Sequence, residues 1–208
     1  MKTEYSLDDL ERFDREWTDQ FATDCGWEEH VLQDPVDDLD LFFTHIPGAS
    51  MLDVGCGWGR YVHRFFDRDL SYQGIDHSIE MLRVAREKNP DATFLQGTFR
   101  ALPFTNDHFD GLWNCCSLSA VPKKHLVTVL EEQLRVLRPS GVMMIVMPSL
   151  LYSDEEMYED DDGNPEIYQS HYYLDEFLEY VTNAGFEIIE ADYRQWNGSM
   201  YVLVKKPG

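Results

Sequence analysis

Apolar residues recur at three- and four-residue spacing near the start of the chain. Leu7, Leu10, Phe13, Trp17 and Phe21 fall on one face of a helix. Asp34-Pro35 interrupts the pattern. Val36, Leu39 and Phe43 resume it in a second helix, which Pro47-Gly48 ends. The spacing then changes. Short apolar runs at about 50–54, 71–75, 92–96, 109–114 and 142–147 read as strands, with helices expected at 58–67, 78–88 and 123–137. Asn89-Pro90 stops the second of these helices and Arg138-Pro139-Ser140-Gly141 the third. The run from Val142 to Met147 is apolar on both faces, which suits a central parallel strand.

Residues 150–170 contain Asp160-Asp161-Asp162-Gly163-Asn164-Pro165 and read as an acidic, irregular insertion. A helix is expected at 173–184, with Gly185 as its C′ glycine. Strands at 186–192 and 199–205 are joined by Asn197-Gly198, a short link that makes them an antiparallel hairpin. The expected fold is α/β, a seven-stranded, mostly parallel sheet with an antiparallel C-terminal hairpin. Helical residues 1–47 precede a domain over 48–208.

The first strand carries the most informative chemistry. Met51-Leu52-Asp53-Val54-Gly55-Cys56-Gly57-Trp58-Gly59-Arg60 runs from an apolar strand into three alternate glycines. Glycine accepts positive φ and lets a ligand approach the backbone. A dinucleotide fingerprint needs Gly-x-Gly-x-x-Gly, which would put the third glycine at Arg60 rather than Gly59. The second strand ends in Asp76, about 20 residues past the loop, where a carboxylate can accept hydrogen bonds from ribose hydroxyls. Read alone, Asp76 could equally cap the helix starting near Ser78.

These segments resemble the S-adenosylmethionine (SAM) loop and Rossmann-like sheet of class I methyltransferases. Gly97-Thr98-Phe99-Arg100-Ala101-Leu102-Pro103-Phe104 resembles the family's adenine-side segment, His108 to Asn114 its fourth strand, and Leu134 to Gly141 the stretch before strand five. The resemblance covers about residues 48–207. It implies SAM as cofactor, held by Asp53, Gly55, Cys56, Gly57, Gly59, Arg60, Asp76, His77, Met81, Thr98, Phe99 and Asn114. Thr98 departs from the family, which usually has an Asp there that accepts from the adenine amino group. Asn114-Cys115-Cys116-Ser117 lacks the Asn/Asp-Pro-Pro-aromatic loop of enzymes that methylate nucleic-acid bases.

Composition narrows the acceptor. The net charge of −22 opposes binding to nucleic acid or an anionic membrane. No apolar run approaches the roughly 18 residues of a membrane span, and the acidic N-terminus is unlike a signal peptide, so a cytoplasmic protein is expected. Cys25, Cys56, Cys115 and Cys116 show no zinc spacing and read as buried thiols; no metal is expected.

The reading is a SAM-dependent methyltransferase for a small-molecule acceptor. A protein methyltransferase, and a SAM-binding protein without transfer, stay open as alternatives. The transfer needs chiefly that nucleophile and methyl be held in line. If the acceptor needs a base, His171 and Tyr173 are candidates, with packing as their competing role. The N-terminal helices either cover a sheet edge or close the SAM pocket, with Tyr5, Phe13 and Trp17 as an apolar wall.

Overall fold

The computed structural model describes residues 6–23, 36–149, 152–159, 165–194 and 198–208. Helices α1 (Leu7–Thr23) and α2 (Val36–His45) lead into β1 (Ser50–Val54), α3 (Val62–Phe66), β2 (Ser71–Asp76), α4 (Ile79–Lys88), β3 (Thr93–Gln96) and β4 (Phe109–Cys115). A single 3-10 turn (Leu118–Ala120), α5 (Lys123–Val136), β5 (Leu137–Pro148), β6 (Asp154–Glu159), β7 (Pro165–His171), α6 (Leu174–Asn183), β8 (Glu187–Arg194) and β9 (Ser199–Lys205) follow. Tyr5, Cys25, Asp34-Pro35, Asp160 to Asn164 and Asn197 lie outside the described residues.

Seven strands form one sheet in the order β3-β2-β1-β4-β5-β9-β8. The first five are parallel, while β9 runs antiparallel to both β5 and β8. This is the expected sheet. Alternation along the strands divides the core between its two faces. Met143, Ile145 and Met147 of β5 pack with Leu126 and Leu130 of α5 and Phe177 of α6. Val142, Met144 and Val146 pack on the opposite face with Phe42, Phe65 and Leu82 from α2, α3 and α4. The run Val142 to Met147, apolar at successive positions, is what a layer covered on both sides requires.

Two expectations change. The described residues of the insertion are not irregular: β6 and β7 pair as an antiparallel ribbon, with Met157 opposite Tyr168. Alternation there was obscured because acidic residues occupy most of β6, whose side chains are largely exposed. The helix after the glycine loop begins only at Val62, because turns occupy residues 58–61. The last strand of the sheet is tied back to the N-terminal region. Arg194 Nε donates to the buried carboxylate of Asp38 at 2.7 Å and its guanidinium stacks on Tyr201.

Candidate active site

The carboxyl ends of β1, β2, β3 and β4 converge below one cavity of about 280 Å³, just under the ~300–1,000 Å³ range of ligand pockets. The glycine loop forms part of its floor. Gly55, Gly57 and Gly59 all have positive φ, at 75°, 51° and 73°. Their roles differ. A Cβ on Gly55 would sit 2.4 Å from Ser117 Cβ, and one on Gly59 would sit 2.9 Å from Phe94. The missing Cβ at these two glycines makes room for packing neighbours, although Gly55 also belongs to the cavity lining. A Cβ on Gly57 would meet nothing within 4 Å, so this glycine faces open space in the cavity lining.

Asp76 stands beside Gly57. One carboxylate oxygen accepts from Gly57 N–H at 2.8 Å and the other from Ser78 N–H at 2.9 Å. The actual helix cap is Ser78, whose Oγ accepts from Met81 N–H. Asp76 therefore joins the loop to the start of α4 while remaining in the cavity lining.

Below the loop, Tyr72 donates its hydroxyl to Asp53 at 2.7 Å. Burial pushes the Asp53 pKa up to about 7; the Tyr72 bond opposes this shift and the nearby Asp76 charge adds to it.

The roof comes from elements distant in sequence. Glu11, Asp14, Trp17 and Thr18 of α1 line one side, and Ile167, Tyr168 and Gln169 of β7 another. Helix α1 is fastened by polar contacts to the strand ends. Asp14 lies 3.3 Å from His77 Nε2, Ser78 Oγ donates to Asp19, and Arg100 pairs with Asp8 and Glu11. Burial pushes the Asp14 pKa up to about 6; His77 opposes the shift, while Asp76 and Glu11 add to it.

The structure brings Gly55, Gly57, Asp76, His77, Thr98 and Phe99 together around the cavity. Asp53, Cys56, Gly59, Arg60, Met81 and Asn114 are not in its lining. Asp53, Cys56, Met81 and Asn114 are buried beneath or behind it. Asn114 donates to Gln133 and accepts from Ser117, and Arg60 stacks on Tyr61. His171 and Tyr173 are also outside the lining. His171 is buried, with Nε2 3.6 Å from Glu156 and its ring against Tyr152. Tyr173 is exposed at the start of α6.

Sequence reasoning missed Glu11, Asp14 and Thr18, although their three- and four-residue spacing marks a polar stripe on α1. It also missed the placement of Cys115 and Cys116 in the cavity wall. Their sulfurs are 3.8 Å apart, and Cys116 has a positive φ of 63°.

The arrangement has the parts a nucleoside site requires. A backbone approach is left open at Gly57, a carboxylate sits at the strand end, and apolar side chains of Ile75 and Phe99 line the wall. These residues fit SAM. Among the described residues, no group of three or more His, Cys, Asp or Glu could hold a metal ion.

Residues 51–141 match the protein family described as a methyltransferase domain. A demethylmenaquinone methyltransferase from Renibacterium salmoninarum is 35% identical over 102 residues, covering 48% of this chain and 41% of that protein. A malonyl-acyl-carrier-protein O-methyltransferase from Salmonella typhimurium is 32% identical over 119 residues, covering 56% and 47%. The chain spans about half the length of the curated relatives it matches. Among solved structures, the Burkholderia thailandensis 1,6-didemethyltoxoflavin-N1-methyltransferase, with bound 1,6-didemethyltoxoflavin and S-adenosylhomocysteine, shares the fold. Its TM-score is 0.77 at 16% identity, covering 100% of this chain and 93% of that one.

Proposed function

Because the chain belongs to the class I SAM-dependent methyltransferases, we propose that it binds SAM in this cavity and transfers the methyl group to a small-molecule acceptor. The observation that carries the reading is the open space over Gly57 beside the Asp76 carboxylate. Asp76 has lone pairs left for ribose hydroxyls after its two backbone bonds. The backbone from Gly55 to Gly57 can lie against the ligand because no side chain intervenes at Gly57.

When bound, SAM supplies a methyl group on a sulfonium sulfur, already electrophilic. The protein's task is then to orient the acceptor and exclude water. Helix α1 and strand β7 close two sides of the cavity and serve both ends. Tyr168 is the polar side chain we assign to the acceptor. Its hydroxyl donates to Glu155, and burial followed by that bond pushes its pKa up. It therefore stays a neutral phenol that orients rather than a base.

The names of the quinone-type relative and of the toxoflavin enzyme support a small acceptor. The largely exposed acidic strand β6 favours a basic peptide as a second reading. Calorimetry with SAM, S-adenosylhomocysteine and NAD tests the cofactor. The expected result is binding of the first two in preference to NAD; equal or preferred binding of NAD would remove the proposal. Incubating labelled SAM with the chain and a metabolite extract, or with a basic protein fraction, tests the acceptor. Label should enter the small molecules. Label in protein alone would establish the peptide reading, and SAM binding with no transfer in either fraction would favour a binding protein.

A further inference from the structure

We propose that Glu11, on the roof helix, is a specificity-determining residue that reads the amino group of the nucleoside base. The proposal rests on the reading of the cavity as a SAM site. Glu11 lines the cavity together with Gly97, Thr98 and Phe99, the segment that follows β3. Arg100 fixes its carboxylate from both sides: Nε lies 2.5 Å from Oε1, and Nη2 donates to Oε2 at 2.5 Å. Such a bidentate grip sets the plane of the carboxylate as well as its position. The same guanidinium also holds Asp8 at 3.1 Å, so one arginine fastens two residues of α1 over the end of β3.

The segment below offers no anion of its own. Thr98 donates its hydroxyl to Glu11 Oε1 at 3.3 Å, across 87 residues of sequence, and accepts from Arg100 N–H at 3.0 Å. The negative acceptor at this corner is thus contributed by the helix above. An ionised carboxylate has about four lone-pair positions, and these contacts use two on Oε1 and one on Oε2. One position on Oε2 is left. The nearby walls from Ile75 and Phe99 suit a flat base. An acceptor-only group there favours a base edge carrying N–H₂ and opposes one carrying a carbonyl oxygen. Adenine has the first and hypoxanthine the second.

If α1 carries the group that reads the base, recognition of adenine and docking of the roof are one event. A bare ion pair that only fastens the helix would make no distinction between the two bases, and this separates the roles. The test is titration calorimetry of the full chain with S-adenosylhomocysteine and with S-inosylhomocysteine. The wild type should prefer the adenine compound by about 10- to 100-fold, the scale of one charged hydrogen bond. Glu11→Gln should abolish most of that preference, because its amide can serve either base. Thr98→Asp placed in a Glu11→Ala background should restore it from below. Loss of affinity for both compounds in equal proportion, or an unchanged preference in Glu11→Gln, would overturn the proposal while leaving the SAM site intact. A wild type that binds neither compound would overturn the SAM reading and this proposal with it.

Discussion

The floor and the roof of the cavity are built from different materials. The floor is strand ends and a loop, with much of its shape set by backbone: Gly55 and Cys56 both donate N–H to the Ile75 carbonyl, and Gly57 donates to Asp76. The roof is α1 and β7, and α1 is fastened by side chains that meet partners 59 to 92 residues away. A floor specified by backbone bonds between adjoining strand ends has a fixed shape before any ligand arrives. The roof helix is held by burial of Leu10 and Ala22 together with polar pairs, of which the partly exposed ones contribute only about 0–1 kcal/mol each, so it is the more separable of the two. This suits a ligand that must enter beneath it.

The sharpest way to break that contrast is at Asp53, below the floor. Its folded pKa of about 7 exceeds the ordinary carboxylate value near 3.8, so the folded state holds its proton longer than the unfolded chain. The contribution of Asp53 to stability is therefore full below about pH 4 and declines as pH rises towards 7. Asp53→Asn keeps an acceptor for Tyr72 and removes the titration. The variant should gain stability over wild type as pH rises from 4 to 8, on the order of 4 kcal/mol at full extent. Urea unfolding at pH 4, 6 and 8 measures it. A difference that does not grow with pH would contradict a desolvated Asp53 under the loop.

Gly57 separates ligand space from packing space. Gly57→Val should lower affinity for S-adenosylhomocysteine by about 100-fold or more, equivalent to about 2.7 kcal/mol. Its fold should suffer mainly the ~1–2 kcal/mol strain of a left-handed residue. Gly55→Ala should show the reverse balance, since its Cβ is driven into Ser117. Calorimetry and thermal unfolding of both variants decide the matter; similar affinity losses would mean that both glycines face the ligand.

Asp76→Asn should weaken S-adenosylhomocysteine by about tenfold or more, the scale of a charge-assisted hydrogen bond. Because the carboxylate also holds Gly57 and Ser78 N–H groups, the melting temperature should fall as well. A fall in melting temperature with unchanged affinity would leave Asp76 with its backbone role alone.

The smallest effect is expected at His171, buried at the roof ribbon but outside the cavity lining. His171→Gln should leave turnover within about threefold of wild type, less than 1 kcal/mol of barrier. A loss of a hundredfold in turnover with normal SAM binding would bring this histidine into the chemistry.

The same contrast explains what the sequence reveals. The parallel sheet is legible because β5 is apolar at successive positions and the glycine loop leads to Asp76 at the expected distance. The seven strands and the antiparallel C-terminal hairpin are legible from such local signals, whereas their order across the sheet comes from the structure. The ribbon was not legible, because acidic side chains dominate β6 and dilute the period-two pattern that marks a half-buried strand. The polar stripe Glu11, Asp14 and Thr18 was hidden for another reason. Polar residues on an amphipathic helix ordinarily face solvent, and only the tertiary partners Arg100, His77 and Thr98 show that this stripe faces a cavity. Gly55, Gly57 and Gly59 look alike in sequence; only their neighbours in space distinguish the one that leaves room for a ligand.

Amide hydrogen exchange of the intact chain, with and without saturating S-adenosylhomocysteine, tests floor and roof together. Slowed exchange is expected at Gly55 to Gly59, at Asp76 to Ser78, at Gly97 to Phe99 and through α1 from Leu10 to Thr18. Protection confined to other parts of the molecule, or no change at saturating ligand, would contradict the placement of the SAM site between the glycine loop and α1.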